Sequence, residues 1–193
     1  MFYKIVKTLV KAVLSVMFKV KINGAEKFPE GPFMLCANHM SNWDPAIMAA
    51  FFKRKVHFLG KAELFKNPVL KYILTKAGMI PIKRGQVDLN AIKSAISVLN
   101  DGNVLGIFPS GRRNKSLEKG QAKSGAALIG ARCGCTVVPV SIISTYKLFS
   151  KVIINVGNPI ELSEYKGNKL SSEELQKIAD GIYDEILCLA SKR

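Results

Sequence analysis

Phe33-Met34-Leu35-Cys36-Ala37-Asn38-His39-Met40-Ser41-Asn42-Trp43-Asp44-Pro45 is the stretch on which the reading of the fold turns. Phe33–Ala37 is a short continuous apolar run that ends abruptly in polar residues, the pattern of a buried strand. Pro45–Phe52 reads as a helix, with Asp44 at its N-cap and Pro45 at the first helical position, where a missing N–H costs nothing. Strand, polar loop and helix in that order open an α/β unit. The loop places a histidine and a carboxylate five residues apart, in a chain with 2 histidines among 193 residues. A neutral imidazole accepts a proton from an alcohol near neutral pH. A carboxylate on its other nitrogen fixes the tautomer and favours the imidazolium that forms. His39 and Asp44 are therefore the candidate catalytic pair. Ser41 lies between them but lacks the G-x-S-x-G elbow of a serine hydrolase.

The same alternation extends along the chain. Val56–Leu59, Met79–Ile82, Val104–Phe108, Val137–Ile142 and Val152–Val156 read as further strands. Between them lie helical patterns: Ala62–Lys76, broken or restarted at Asn67-Pro68; a face of Leu89, Ile92, Ile96 and Leu99; and the small-residue-rich Gly120–Arg132. Ser171-Ser172-Glu173-Glu174 offers a capping box, followed by Leu175, Ile178, Ile182, Ile186 and Leu189 at helical spacing. The prediction is an α/β fold, one layered domain whose mostly parallel or mixed sheet is covered by helices. Residues 1–22 are assigned to an N-terminal amphipathic helix and 23–193 to the domain.

In α/β folds the chemistry gathers on loops at strand ends. Four successive strand exits carry His39–Asp44, then Lys61 and Glu63, then Lys83-Arg84-Gly85, then Pro109-Ser110-Gly111-Arg112-Arg113-Asn114. In a parallel sheet these exits share one rim. Arginine presents a rigid fork of donors matched to phosphate oxygens, and Gly85 and Gly111 allow close backbone approach. A phosphorylated, hydroxyl-bearing substrate fits that set. His57, in an apolar strand pattern, reads as structural, and Trp43 as packing.

The formal charge of +15, from 29 basic and 14 acidic residues, favours a polyanionic partner. Nucleic acid is the weaker choice, because the chain lacks a recognition motif or an interleaved aromatic–basic strand. The first residues favour a membrane surface instead. Lys4, Lys7, Lys11 and Lys19 form a narrow basic stripe opposite Ile5, Val6, Leu9, Val10, Val13, Val16 and Met17, the pattern of a helix lying in a bilayer interface. Ala12–Phe18 is too short to span one. Cys133-Gly134-Cys135 is too tight for a zinc pair, and no metal set is predicted.

The residues also resemble a known family. Asn38-His39-x-Ser41-x-x-Asp44 is similar to the H-x4-D signature of the glycerolipid acyltransferases, the 1-acyl-glycerol-3-phosphate acyltransferase family. Lys61-Ala62-Glu63-Leu64-Phe65, Gly78-Met79-Ile80-Pro81-Ile82-Lys83-Arg84, Phe108-Pro109-Ser110-Gly111-Arg112-Arg113-Asn114 and Val138-Pro139-Val140-Ser141-Ile142 resemble its further blocks, in order. The third departs from the family's F-P-E-G-T-R-S: Ser110 stands for the usual glutamate and Arg112 for the threonine. Glu118 and Asp101 are the nearby carboxylates in the sequence.

The resemblance implies an O-acyltransferase that moves a fatty acyl group from acyl-CoA or acyl carrier protein to the free hydroxyl of 1-acyl-glycerol 3-phosphate, giving phosphatidic acid. It implies catalysis by His39 and Asp44, with substrate held by Arg84, Gly111, Arg113, Lys61 and Asn38. No cofactor is expected beyond the acyl thioester co-substrate. The expected partners are the thioester carrier, a lysophospholipid acceptor and an anionic membrane surface. The expected location is peripheral or monotopic, on the cytoplasmic face of a membrane. Glycerol 3-phosphate or another lysolipid is the alternative acceptor, and a weakly active lipid-binding member of the fold the alternative role.

Overall fold

The computed structural model describes residues 2–83, 85, 87–114 and 116–191, with Phe2 described by its backbone alone. Helix α1 (Phe2–Met17) leads into strand β1 (Lys19–Asn23). There follow β2 (Phe33–Ala37), α2 (Trp43–Phe51), β3 (Val56–Lys61), α3 (Pro68–Ala77), β4 (Ile80–Ile82), α4 (Leu89–Asn100), β5 (Val104–Ile107), α5 (Gly125–Cys133), β6 (Thr136–Ser144), β7 (Lys151–Val156), β8 (Ile160–Glu161) and α6 (Ser172–Ser191).

The eight strands among the described residues join one mixed sheet, in the order β1-β7-β6-β2-β5-β3-β4, with β8 paired to β6. Strands β6, β2, β5, β3 and β4 run parallel to one another. β7 is antiparallel to β6, and β1 is parallel to β7. The exits of β2, β3, β4, β5 and β6 therefore meet on one rim, as the alternating pattern predicts.

Strand β2 sits at the centre and is buried on both faces. Its odd residues Phe33, Leu35 and Ala37 pack with Leu14 of α1 and with Ile47, Met48 and Ala50 of α2. Its even residues Met34 and Cys36 pack with α4, α5 and α6, including Ala95, Ala127, Ile182 and Ile186. That period of two gives one strand two cores, which is why the run is continuously apolar rather than alternating.

Local signals account for the helix ends. Asn67 accepts the Leu70 N–H at 3.0 Å and restarts the chain as α3 with Pro68 in its first turn, after a 3₁₀ turn over Ala62–Phe65. The capping box forms at α6: Glu174 accepts the Ser171 N–H at 2.7 Å, and Ser171 Oγ accepts the Glu174 N–H at 3.2 Å.

Three expectations are corrected, and one short strand joins those expected. The N-terminal helix stops at Met17 rather than running through residue 22. Lys19-Val20-Lys21-Ile22 alternates with period two, and its residues pair with Lys151–Ile154 as an edge strand. Asp44 does not cap α2. The helix begins one residue earlier, and the Asp44 carboxylate is fully buried and turned back onto the preceding loop. The buried face of α4 is Ala91, Ala95 and Leu99, while Leu89 is exposed: small residues let the helix approach the sheet closely. The two-residue β8 was too short to carry a periodic signal.

Candidate active site

His39 leaves β2 at the rim, and three elements hold it. Asn38 precedes it, 1 % exposed, with its side-chain amide donating to the Ile142 carbonyl (2.8 Å) and accepting the Ile142 N–H (2.6 Å) on β6. Both ends of that amide are occupied by β6, so Asn38 holds the loop in position. The Asn114 N–H donates to the His39 carbonyl at 2.8 Å, which ties the loop after β5 to the same residue. Beneath the imidazole lies Phe108, stacked at 4.1 Å between ring centres and 19° between planes. Phe108 in turn stacks on Phe58 at 5.6 Å. Gly106 permits this pile: a Cβ there would sit 2.3 Å from the Phe58 ring.

Asp44 lies 2.7 Å from His39 Nδ1 through Oδ2. The same oxygen accepts the N–H groups of Met40 (2.6 Å) and Ser41 (2.8 Å). An oxygen that takes two main-chain donors has no proton to give, so Nδ1 is the donor in its contact with Asp44. The remaining nitrogen, Nε2, is thereby left as the acceptor for a substrate proton.

Asp44 Oδ1 accepts the hydroxyl of Tyr146, a residue without a sequence signal. Tyr146 lies on the turn after β6, in left-handed backbone with φ of 54°, its ring edge-on to Phe18 at 5.8 Å. Burial, and then the adjacent Asp44 charge, push its hydroxyl well above the ordinary tyrosine range. It therefore stays a donor across any working pH. Four donors converge on one buried carboxylate, and the imidazole is one of them.

Two cavities open beside His39, Leu59 and Phe108. The larger, about 650 Å³, lies under α1, α2 and α3 and is mostly apolar, with Val6, Val10, Ala49, Phe58, Ile73 and Met79 in its wall. The smaller, about 350 Å³, lies against α4 and the start of α5, with Lys83, Gly111 and Lys123 at its wall. Both volumes fall within the range of small-molecule sites, roughly 300–1,000 Å³.

The predicted site residues divide between these spaces. Arg113 and Lys61 line the larger cavity beside His39. Lys61 also meets Glu63 at 3.4 Å; both are about half exposed, so water screens the pair. Gly111 lines the smaller one, at a φ of 65° that suits glycine. Arg84 lies outside the described residues. Ser110 is 3 % exposed and donates its hydroxyl to the Arg112 carbonyl at 2.8 Å, closing the turn. No carboxylate replaces the missing glutamate among the described residues. Glu118 accepts from Gln121, and Asp101 caps α4, bonded to Ser97. Ser41 Oγ accepts the Trp43 N–H at 3.3 Å and shapes the loop rather than touching His39.

A family model described as Acyltransferase matches residues 19–143, which run from β1 into β6 and include the rim loops after β2, β3, β4 and β5. The chain belongs to the acyltransferase family. Among its relatives, the 1-acyl-sn-glycerol-3-phosphate acyltransferase of Streptococcus pneumoniae is 33 % identical over 96 % of this chain and 72 % of its own length. The protein of the same name from Bacillus subtilis is 28 % identical over 98 % of both chains. The solved structure of the 1-acyl-sn-glycerophosphate (LPA) acyltransferase PlsC from Thermotoga maritima superposes with a TM-score of 0.76 at 24 % identity. That match covers 99 % of this chain and 80 % of the other, and so shares the acyltransferase fold.

Proposed function

We propose that this acyltransferase moves a fatty acyl group from acyl-CoA or acyl carrier protein to the free hydroxyl of 1-acyl-glycerol 3-phosphate, forming phosphatidic acid. The observation that carries the reading is the convergence on His39 of an oriented base and two largely apolar cavities, the larger with Arg113 and Lys61 in its wall and the smaller with Lys83 and Lys123. The printed names of the relatives support the choice of acceptor.

In this mechanism His39 Nε2 takes the proton of the acceptor hydroxyl as its oxygen attacks the thioester carbonyl. The tetrahedral intermediate collapses, the C–S bond breaks, and the imidazolium returns its proton to the leaving thiolate. Asp44 holds the imidazole and stabilises its charged form. The Met40 and Ser41 N–H groups are spent on Asp44, so donors for the oxyanion come from elsewhere in the loops. The larger cavity suits an acyl chain. Arg113, Gly111 and the rim lysines suit the acceptor phosphate, fixing which hydroxyl meets the base. Thiolate is a good leaving group, so direct transfer needs no covalent acyl-enzyme.

Tyr146 acts through Asp44. A hydrogen bond to a charged group contributes about 1.5–3 kcal/mol, so Tyr146→Phe should lower kcat by roughly tenfold to a hundredfold if most of that acts in the transition state. KM for donor and acceptor should stay within about twofold, because the hydroxyl faces the carboxylate and not the cavities. Steady-state kinetics on the purified variant checks the split; a rise in KM with kcat intact would move Tyr146 to substrate binding.

The donor arrives in water while the acceptor lives in lipid, so the proposed location is peripheral, on the cytoplasmic face of a membrane. No helix among the described residues is long and apolar enough to cross a membrane. Helix α1 buries Leu14 and exposes Ile5, Leu9, Val13 and Val16. Lys7 donates to the Phe52 carbonyl and Lys11 lies over the Phe51 ring at 5.5 Å, so these two lysines are turned towards α2. The outer face of α1 is thereby more apolar than the sequence pattern suggests, which supports lipid contact. The acceptor is tested by thiol release from acyl-CoA and acyl carrier protein with glycerol 3-phosphate, 1-acyl-glycerol 3-phosphate and neutral lysolipids. Release should be fastest with 1-acyl-glycerol 3-phosphate; preference for glycerol 3-phosphate would shift the reading to the earlier acylation.

A further inference from the structure

Residues 145–150 form the turn between β6 and β7, on the same rim as His39. The turn is held at two points. Inside, Tyr146 bonds Asp44, and its N–H donates to Ser144 Oγ at 3.0 Å. Outside, the Phe149 N–H donates to the Met17 carbonyl at 2.7 Å, at the last residue of α1. Between these anchors Leu148 and Phe149 project into solvent, each 61 % exposed.

Tyr146 and Phe149 are the two non-glycine residues with positive φ among those described, at 54° and 62°. Left-handed backbone costs free energy for any residue with a Cβ. Tyr146 recovers that cost through Asp44 and Phe18. Phe149 recovers less by burial, because the residue is 61 % exposed. A glycine would be less strained there, so the aromatic side chain gains its return from something outside the chain.

The surroundings point to lipid. The exposed α1 residues Val13 and Val16 lie in the last turns of the helix that ends at Met17, whose carbonyl holds the Phe149 N–H, so the turn carrying Leu148 and Phe149 is tied to the end of that apolar helix. Exposed Lys19, Lys147 and Lys151 flank the turn, and residues 145–151 contain no acidic side chain. Apolar side chains ringed by lysines fit an anionic bilayer: the rings enter the acyl boundary, and the ammonium groups meet the headgroups.

We propose that the 145–150 turn is a second membrane-contacting element, which inserts Leu148 and Phe149 into an anionic phospholipid surface beside α1. The inference rests on the interfacial location proposed above. Because Tyr146 belongs to the same short turn, it also sets the depth of His39 and Asp44 relative to the lipid boundary. That places the base where an acceptor hydroxyl emerges from the bilayer.

The test is co-sedimentation of the full chain with vesicles of phosphatidylglycerol and phosphatidylcholine, and with phosphatidylcholine alone. Phe149→Gly removes the ring while suiting the left-handed backbone. Its partitioning onto the anionic vesicles should fall at least threefold, with the melting temperature unchanged or raised. Leu148→Ser combined with Phe149→Ser should lower partitioning at least tenfold, while turnover of water-soluble short-chain substrates is retained. Equal partitioning of wild type and Phe149→Gly would overturn the inference. So would a lower melting temperature for Phe149→Gly, which would show that the ring packs within the protein. A concentration-dependent dimer lost in these variants would assign the patch to a second copy, and also overturn it. Failure of the wild type to bind anionic vesicles would instead remove the interfacial location itself.

Discussion

His39→Ala should lower kcat by about 10²–10⁴-fold, the usual contribution of a positioned general base. The fall should be in kcat more than in KM, because the imidazole meets the acceptor only at its reacting hydroxyl. The fold should survive. His39 is one of four donors to Asp44, and Met40, Ser41 and Tyr146 still satisfy that carboxylate. Loss of the stack on Phe108 and of one buried hydrogen bond should cost about 1–3 kcal/mol of stability. Kinetics and thermal melts on the same preparation check both halves. A variant that melts normally and turns over normally would remove His39 from the chemistry.

Asp44→Asn should reduce kcat by up to about 10⁴-fold, the loss that follows when the orienting carboxylate of a catalytic histidine becomes an amide. An asparagine has one acceptor oxygen where Asp44 has two. If that oxygen stays with His39, Met40 and Ser41, the amide NH₂ faces the Tyr146 hydroxyl, which must then turn to accept. If the amide flips, two main-chain N–H groups and Nδ1 oppose an NH₂ group. The first arrangement keeps the tautomer but loses the charge that stabilises imidazolium; the second also lets the ring turn. Combining Asp44→Asn with Tyr146→Phe separates the two contributions, because the groups share one network and their effects should be strongly non-additive. A double variant whose loss equals the product of the single losses would mean that Tyr146 does not act through Asp44.

Much of this arrangement is legible in the sequence because each feature has a local cause. A continuous apolar run followed by a polar loop and an early proline places β2, His39 and α2. Asn67-Pro68 and the Ser171–Glu174 box place helix starts to within a residue or two. The rim follows from alternation, since β2, β3, β4, β5 and β6 run parallel. The features that escape are non-local. Tyr146 stands 102 residues from the carboxylate it meets, in a turn of ordinary composition. Asn38 looks like a polar site residue until Ile142, 104 residues on, occupies both ends of its amide. The strand Lys19–Asn23 escapes notice because lysines at 4, 7, 11 and 19 fit a helical stripe that the chain leaves at Met17. In α1 the sequence separates apolar from basic residues, but not the apolar face that packs from the one left bare.

The most direct test of the central claim is mass-spectrometric detection of product from purified protein, an acyl thioester and 1-acyl-glycerol 3-phosphate in mixed vesicles. The wild type should form phosphatidic acid carrying the donor's acyl chain, with one thiol released per product, and His39→Ala should form almost none. No phosphatidic acid from the wild type with either acyl-CoA or acyl carrier protein, or undiminished formation by His39→Ala, would contradict it.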